Sequence, residues 1–242
     1  MKKILLYSLV LFAYSACKSP VKQETSDRPT GVYINKTLLD SIDGEKLISD
    51  LPRLCEEIRF ISDDTLEMND GFETSMVHYS NNGQNNFILD FSDKYQFPFS
   101  MDNENLLLKD TGYLHQANGS TFTKSEKGFI ELVNEKIISG KYFLATGKTR
   151  DTIIFTNKGD IENWNSWKKY EICIAGDCTS MSEEPANIIN LSNGEAGDFF
   201  VWKILSDSIK MALVLYPLSP ELPDIKGERK ILKDSLLLTR IK

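Results

Sequence analysis

Four cysteines and two histidines, with acidic clusters at Asp63-Asp64, Asp102-Asn103-Glu104 and Glu183-Glu184, are the residues of this chain with chemistry to offer. A nucleophilic triad needs a histidine beside an exposed Ser or Cys, and no Gly-x-Ser-x-Gly elbow is present to expose a serine. Two histidines without a His-Glu-x-x-His pair lack the usual ligand spacing for zinc. His78 stands in the strand-like Met76-Val77-His78-Tyr79, and His115 in a loop-like stretch from Gly112 to Gly119; both read as surface or strand-edge residues. Paired carboxylates can run glycoside hydrolysis, but the acidic clusters read as solvated turns, and none fits a calcium loop. Gly-x-Gly-x-x-Gly and the phosphate-binding loop are absent. These residues therefore predict no catalytic centre, no metal and no cofactor. Cys173 and Cys178 are a different case. They flank Ile174-Ala175-Gly176-Asp177, whose Gly-Asp pair suits a tight reversal between strands. Residues opposite each other in an antiparallel pair lie about 4.5–5.5 Å apart at Cα, within reach of a disulfide. A Cys173–Cys178 bond is expected, leaving Cys55 as a buried thiol.

The fourth cysteine, Cys17, ends a leader. Met1-Lys2-Lys3 is followed by an apolar run from Ile4 to Ala16 broken only by Ser8 and Ser15. A basic start, a short apolar core and a small-residue end make a secretory signal peptide. The run is shorter than the about 20 apolar residues that span a bilayer. Ser15-Ala16-Cys17 resembles the lipobox of bacterial lipoproteins, with Tyr14 where Leu is usual. The resemblance implies that residues 1–16 are removed and that Cys17 receives the acyl chains. One chain holds a membrane only marginally, so a stable anchor needs two or more. Lys18 stands where some inner-membrane lipoproteins carry Asp, which by resemblance implies the outer membrane.

The chain holds 28 Lys and Arg against 35 Asp and Glu; removing residues 1–16 takes Lys2 and Lys3 but no acid, which leaves a net charge of −9. Such a surface repels phosphate backbones and excludes nucleic acid as an expected partner. Residues 17–30 are polar, contain Pro20 and Pro29, and read as a flexible tether below a lipidated Cys17.

From Gly31 onward the pattern is short runs of period two, the signature of half-buried strands. Ile58 and Phe60 alternate with charged neighbours, as do Leu66 and Met68 before an Asp70-Gly71 turn. Phe87, Leu89 and Phe91 share one face, and so do Tyr170, Ile172 and Ile174. Phe199 to Leu205 and Ile209 to Tyr216 flank Ser206-Asp207-Ser208, an expected hairpin, and Leu236 to Ile241 closes the chain. Two stretches look helical: Glu45 to Leu51, stopped by Pro52, and Glu126 to Ile138, with Phe129, Leu132, Val133 and Ile137 on one face. For the latter, Ser125 is the expected N-cap and Gly140 the stop. The chain thus divides into a first β half (31–125), a connecting helix (126–139) and a second β half (140–242). Gly31-Val32-Tyr33 opens one half and Gly140-Lys141-Tyr142 the other, and each ends in a strand carrying a base, Lys124 or Arg240.

A Gly-x-aromatic opening, a meander of antiparallel strands and a Leu-x-Leu closing strand resemble bacterial lipocalin-like domains. The resemblance implies a mainly β fold, an antiparallel meander closing into a barrel, with two similar halves as one form of it. Phe97, Phe99, Trp164, Trp167, Phe200, Trp202 and Tyr216 are the aromatic residues that could line a ligand cavity in such a barrel, with plain core packing as the alternative. Two functions remain open: an anchored barrel that binds a small apolar ligand, or an envelope scaffold with a packed barrel that contacts another protein. A carboxylate hydrolase ranks below both.

Overall fold

A computed structural model describes residues 29–242 except 45, 84, 93–94, 110–116, 147–148, 176–180, 195–196, 207–210, 221–228 and 242. Cys17, His115 and Cys178, and with them the leader and the tether up to residue 28, lie outside the described residues. The fold is mainly β, and the named strands pair antiparallel, with one isolated parallel bridge at Ser182–Arg229. In the first half, β1 (Gly31–Asn35), β2 (Glu57–Phe60), β3 (Thr65–Asn69), β4 (Thr74–Asn81), β5 (Asn86–Ser92), β6 (Tyr95–Asp102), β7 (Asn105–Leu108) and β8 (Thr121–Ser125) follow one another round a closed barrel. Closure comes from β1 pairing with β8, Tyr33 opposite Lys124.

The second half repeats the plan. It comprises β9 (Gly140–Thr146), β10 (Thr149–Phe155), β11 (Ile161–Glu162), β12 (Lys169–Ile172), β13 (Ile188–Ser192), β14 (Gly197–Ser206), β15 (Met211–Pro217) and β16 (Leu236–Arg240). Here β9 pairs with β16, Tyr142 opposite Arg240. The free ends of this sheet, β11 and β12, meet at an Asp160–Lys169 bridge and a 2.8 Å bond from Ile161 N to Lys168 O. The two halves therefore close separately, each as an eight-stranded barrel-like sheet.

The paired Gly-x-Tyr openings now have a physical reason. Gly31 and Gly140 hold φ of +92° and +151°, a region closed to most side chains. A Cβ at Gly31 would lie 3.1 Å from Lys124 Cε, and one at Gly140 would lie 2.9 Å from Arg240 Nε. Both glycines leave room for the basic side chain of the closing strand, and Arg240 then reaches the Tyr142 ring at 6.0 Å and the Ser139 carbonyl at 2.5 Å.

Period two explains the cores. Tyr33, Ile58, Phe60, Leu66, Met68, Tyr79, Phe87, Leu89 and Phe122 point inward and fill the first barrel. Tyr33, Phe60, Tyr79 and Phe87 stack in series, edge to face, at 5.6, 5.2 and 6.1 Å, an arrangement that adds to the burial of apolar area. Tyr142, Phe155, Tyr170, Phe200 and Trp202 fill the core of the second half. Burial pushes the Tyr142 hydroxyl up to about 12 while it donates to Ile138 O at 2.6 Å.

The helices differ from expectation. Of Glu45 to Leu51, only Ile48–Asp50 forms a turn of 3₁₀ helix. Asn187 holds this segment extended on either side, accepting from Ile48 N and donating to Lys46 O. A helix α1 lies earlier, at Lys36–Ser41, capped by Asn35 Oδ1 on Leu38 N at 2.9 Å. The connecting helix α2 is Phe129–Ile137 and starts later than Ser125, which instead makes a local turn with Lys127. Gly128 occupies the cap position, and the first helical N–H, of Phe129, donates to Glu57 Oε1 across from β2. Phe129, Val133 and Ile137 are buried as expected, Leu132 only partly, and Asn134 is buried through a bond to Asn157 O. No helix among the described residues is long and apolar enough to cross a membrane.

Candidate functional site

The first barrel is filled along most of its length, and a pocket of about 360 Å³ opens at one mouth. That mouth is where the β1–β2 connection, the β3–β4 turn and the β5–β6 turn converge. Its walls are apolar, from Leu54, Met68, Phe91 and Phe97, and its rim carries Arg53, Asp70, Glu73 and Tyr95. An apolar wall with a few polar groups is the usual composition of a small-molecule site.

Each wall is placed by an identifiable local cause. The β1–β2 connection returns to the barrel because Asn35 Nδ2 donates to Cys55 O at 3.0 Å, and Glu56 N donates to Asn69 O at 2.8 Å. Asp70 Oδ1 accepts from both Phe72 N and Glu73 N at 2.8 Å, which fixes the tight turn before β4. A bulge between Asp90 and Ser92 bends the end of β5. Phe91 there is 42% exposed at the mouth, unlike its buried neighbours Phe87 and Leu89 on the same face. It meets Phe97 edge to face at 5.1 Å.

Behind the wall lies a buried ion pair. Glu56 is 1% exposed, and its Oε1 sits 3.6 Å from Arg53 Nη1. Neither atom has a hydrogen bond, while Arg53 Nη2 donates to Ile174 O of the second half at 2.9 Å. Loss of water around the carboxyl outweighs so loose an attraction, and burial raises Glu56 to about 7 despite Arg53. A raised carboxyl suits a general acid, but this one packs over Gly71 instead of lining the pocket. Cys55 does line it, fully buried and unbonded. Burial first, and then Glu56, Asp70 and Glu57, push its thiol well up, so it stays protonated and a poor nucleophile at neutral pH.

Of the aromatic residues expected to share a cavity, only Phe97 lines this pocket; Phe99 lies deeper in the same core. Trp164, Trp167, Phe200 and Trp202 belong to the core of the second half, where Trp167 meets Trp164 at 4.7 Å and Phe200 at 5.4 Å. Tyr216 packs apart, with Cys173, Ile188 and Val201. Because each half closes on itself, these seven residues do not surround one space. His78 is exposed on the outer face of β4, between Thr65 and Asp90. No cluster of three or more potential metal ligands occurs among the described residues. Cys173 is disulfide-bonded and Cys55 is free.

The pocket residues were less visible in sequence because half of them come from connections. Arg53, Asp70 and Glu73 read as ordinary turn polarity until barrel closure sets them round one opening. Compared with known proteins, the chain matches no family model, no curated protein and no solved structure.

Proposed function

We propose that this chain is a lipid-anchored lipoprotein of a bacterial envelope, held through Cys17 at the outer membrane, and that its first barrel takes a small apolar or amphipathic ligand at the mouth. The observation that carries the ligand reading is the pocket of about 360 Å³ walled by Leu54, Met68, Phe91 and Phe97. Two partly exposed rings, Phe91 and Tyr95, beside this recess support the same reading. Exported chains meet an oxidising compartment, which fits the bonded state of Cys173; its partner in this reading is Cys178.

Two experiments test these statements separately. Replacing Cys17 with Ser should move the protein from the membrane to the soluble envelope fraction, and retention after a carbonate wash would refute the anchor. The neutral fluorophore N-phenyl-1-naphthylamine should bind the soluble chain saturably, and Phe91→Ala with Tyr95→Ala should abolish that binding without unfolding the barrel. Binding that is absent, or indifferent to both substitutions, refutes the pocket.

The scaffold reading keeps one specific support. Phe72 on the β3–β4 turn is 66% exposed, and Asp70 and Glu73 of the same turn stand at the pocket. Failure of the fluorophore, with protein cross-links through a photoreactive group at position 72, would favour an envelope protein as the partner instead.

A further inference from the structure

One wall of the first pocket hangs on the other half of the molecule. Arg53, Leu54 and Cys55 line that pocket, at the end of the connection from β1 to β2. Upstream of them the connection leaves its own barrel. Leu38, Ile42 and Ile48 are buried in the core of the second half, and Leu39 and Leu51 pack against it. Polar ties follow the same course. A single amide, that of Asn187 just before β13, clamps the chain at two points. Its Oδ1 accepts from Ile48 N at 3.0 Å, and its Nδ2 donates to Lys46 O at 2.9 Å. Asn187 is itself held, since its carbonyl accepts from Trp202 N of β14 at 2.9 Å. Arg53 Nη2 then donates to Ile174 O at 2.9 Å. From Cys55 onward the bonds run to the first barrel, Asn35 Nδ2 to Cys55 O and Glu56 N to Asn69 O. Arg53 and Leu54 therefore stand where the two sets of ties meet.

We propose that Asn187 is a positioning residue for the pocket at the first mouth, and that the second half completes that site. This rests on the pocket taking a ligand as proposed above. The path from Asn187 to the wall is short and stiff. Ile48–Asp50 forms a 3₁₀ turn, closed by Leu51 N donating to Ile48 O at 3.2 Å, and the ring of Pro52 fixes the next φ. A displacement at Ile48 is carried to Arg53 and Leu54, with little between them to absorb it. The fold also leaves the connection room to shift. A cavity of about 400 Å³ opens beside Gly44, Leu47 and Asn187, so the bonds to Asn187, more than close packing, fix Lys46 and Leu47. Two hydrogen bonds of ordinary net strength are enough to change local opening by about tenfold or more.

Two readouts on the full mature chain carrying Cys17→Ser test this. Binding of N-phenyl-1-naphthylamine reports the pocket. Alkylation of Cys55 by N-ethylmaleimide, mapped by mass spectrometry without reductant, reports the wall whether or not a ligand binds. Cys55 suits this because it lines the pocket next to Leu54, fully buried and unbonded. Asn187→Ala removes both bonds and should raise the alkylation rate by about tenfold or more, with a similar loss of fluorophore affinity. Asn187→Asp keeps the acceptor for Ile48 N and loses the donor to Lys46 O; it should fall between the two proteins, and it decides the matter if the alanine variant does not fold. Thr156→Ala takes an acceptor from Asp160 N, 3.1 Å away at the β10–β11 turn. It weakens the second half without touching the clamp, so at urea concentrations of matched global stability it should leave Cys55 at the wild-type rate. A fluorophore that fails to bind the unsubstituted chain ends the ligand reading, and the alkylation rates then decide the role of Asn187 alone. A Cys55 rate unchanged by Asn187→Ala, or raised equally by Thr156→Ala at matched stability, overturns the proposal.

Discussion

Replacing Glu56 with Gln should make the protein more stable at pH 8 and remove most of the pH dependence of its stability between pH 5 and pH 8. The reasoning starts from burial. Glu56 is raised from 4.5 to about 7, chiefly by loss of water, with Arg53 opposing. A carboxyl whose folded value lies above its unfolded value binds a proton more readily when folded. Stability is then highest below the unfolded value and falls as pH climbs through the folded one. The window is about pH 4.5 to 7, and a shift of 2.5 units at 1.36 kcal/mol each corresponds to about 3 kcal/mol. Glutamine is an uncharged near-isostere and should carry no such penalty. At pH 5 the two proteins should be nearly equal. At pH 8 the variant should lead by up to about 3 kcal/mol, less whatever Arg53 loses when its 3.6 Å partner becomes neutral. Urea unfolding at pH 5, 6, 7 and 8 measures this. Far-UV circular dichroism is the right signal, because all three tryptophans lie in the second half and would miss the first barrel. Parallel stability profiles for the two proteins across that range would refute the buried-carboxyl account.

Three further substitutions test how the mouth and the helix are held. Asn35→Ala removes both the cap on Leu38 N and the donor to Cys55 O, and should cost about 2–4 kcal/mol in urea unfolding, a lost cap plus a buried carbonyl left unpaired. Gly71→Ala would place a Cβ 2.1 Å from Glu56 Oε1 at φ +89°; it should cost about 2 kcal/mol or more, and Glu56→Ala in the same chain should recover part of that loss. Phe129→Ala empties a fully buried site on α2 and should cost about 3–5 kcal/mol, read from the same unfolding curves.

What the sequence made legible was periodic. Ile58 and Phe60, Leu66 and Met68, and Tyr170, Ile172 and Ile174 are buried as their alternation requires, because a strand offers one face to a core whatever the rest of the chain does. The opening glycines were visible too, although their reason, a basic side chain from the last strand, needs closure to be seen. Helix ends failed where a distant residue does the capping. Ser125 has the right chemistry for an N-cap, yet Glu57 reaches Phe129 N from another strand, and no local motif records that. The aromatic residues stayed open between cavity lining and core packing for a related reason. Phe97 and Trp164 look alike in sequence, and only the separate pairings of β1 with β8 and β9 with β16 put them in different cores.

The same closures decide where binding can occur. A barrel whose interior is filled by its own side chains can offer space only where a strand bends or stops. In the first half the bulge near Phe91 opens an apolar mouth, and in the second the two-residue β11 leaves a polar gap. If strand irregularity is the cause, repairing it should close the site. Extending the pairing of β11 by replacing Asn163, whose left-handed angle turns the chain away, with Val should favour extended backbone. The pocket beside Trp164 should then shrink and tryptophan emission should shift, while the naphthylamine site in the first barrel stays intact. Unchanged tryptophan emission in an Asn163→Val protein that folds normally would show that the gap does not depend on where β11 stops.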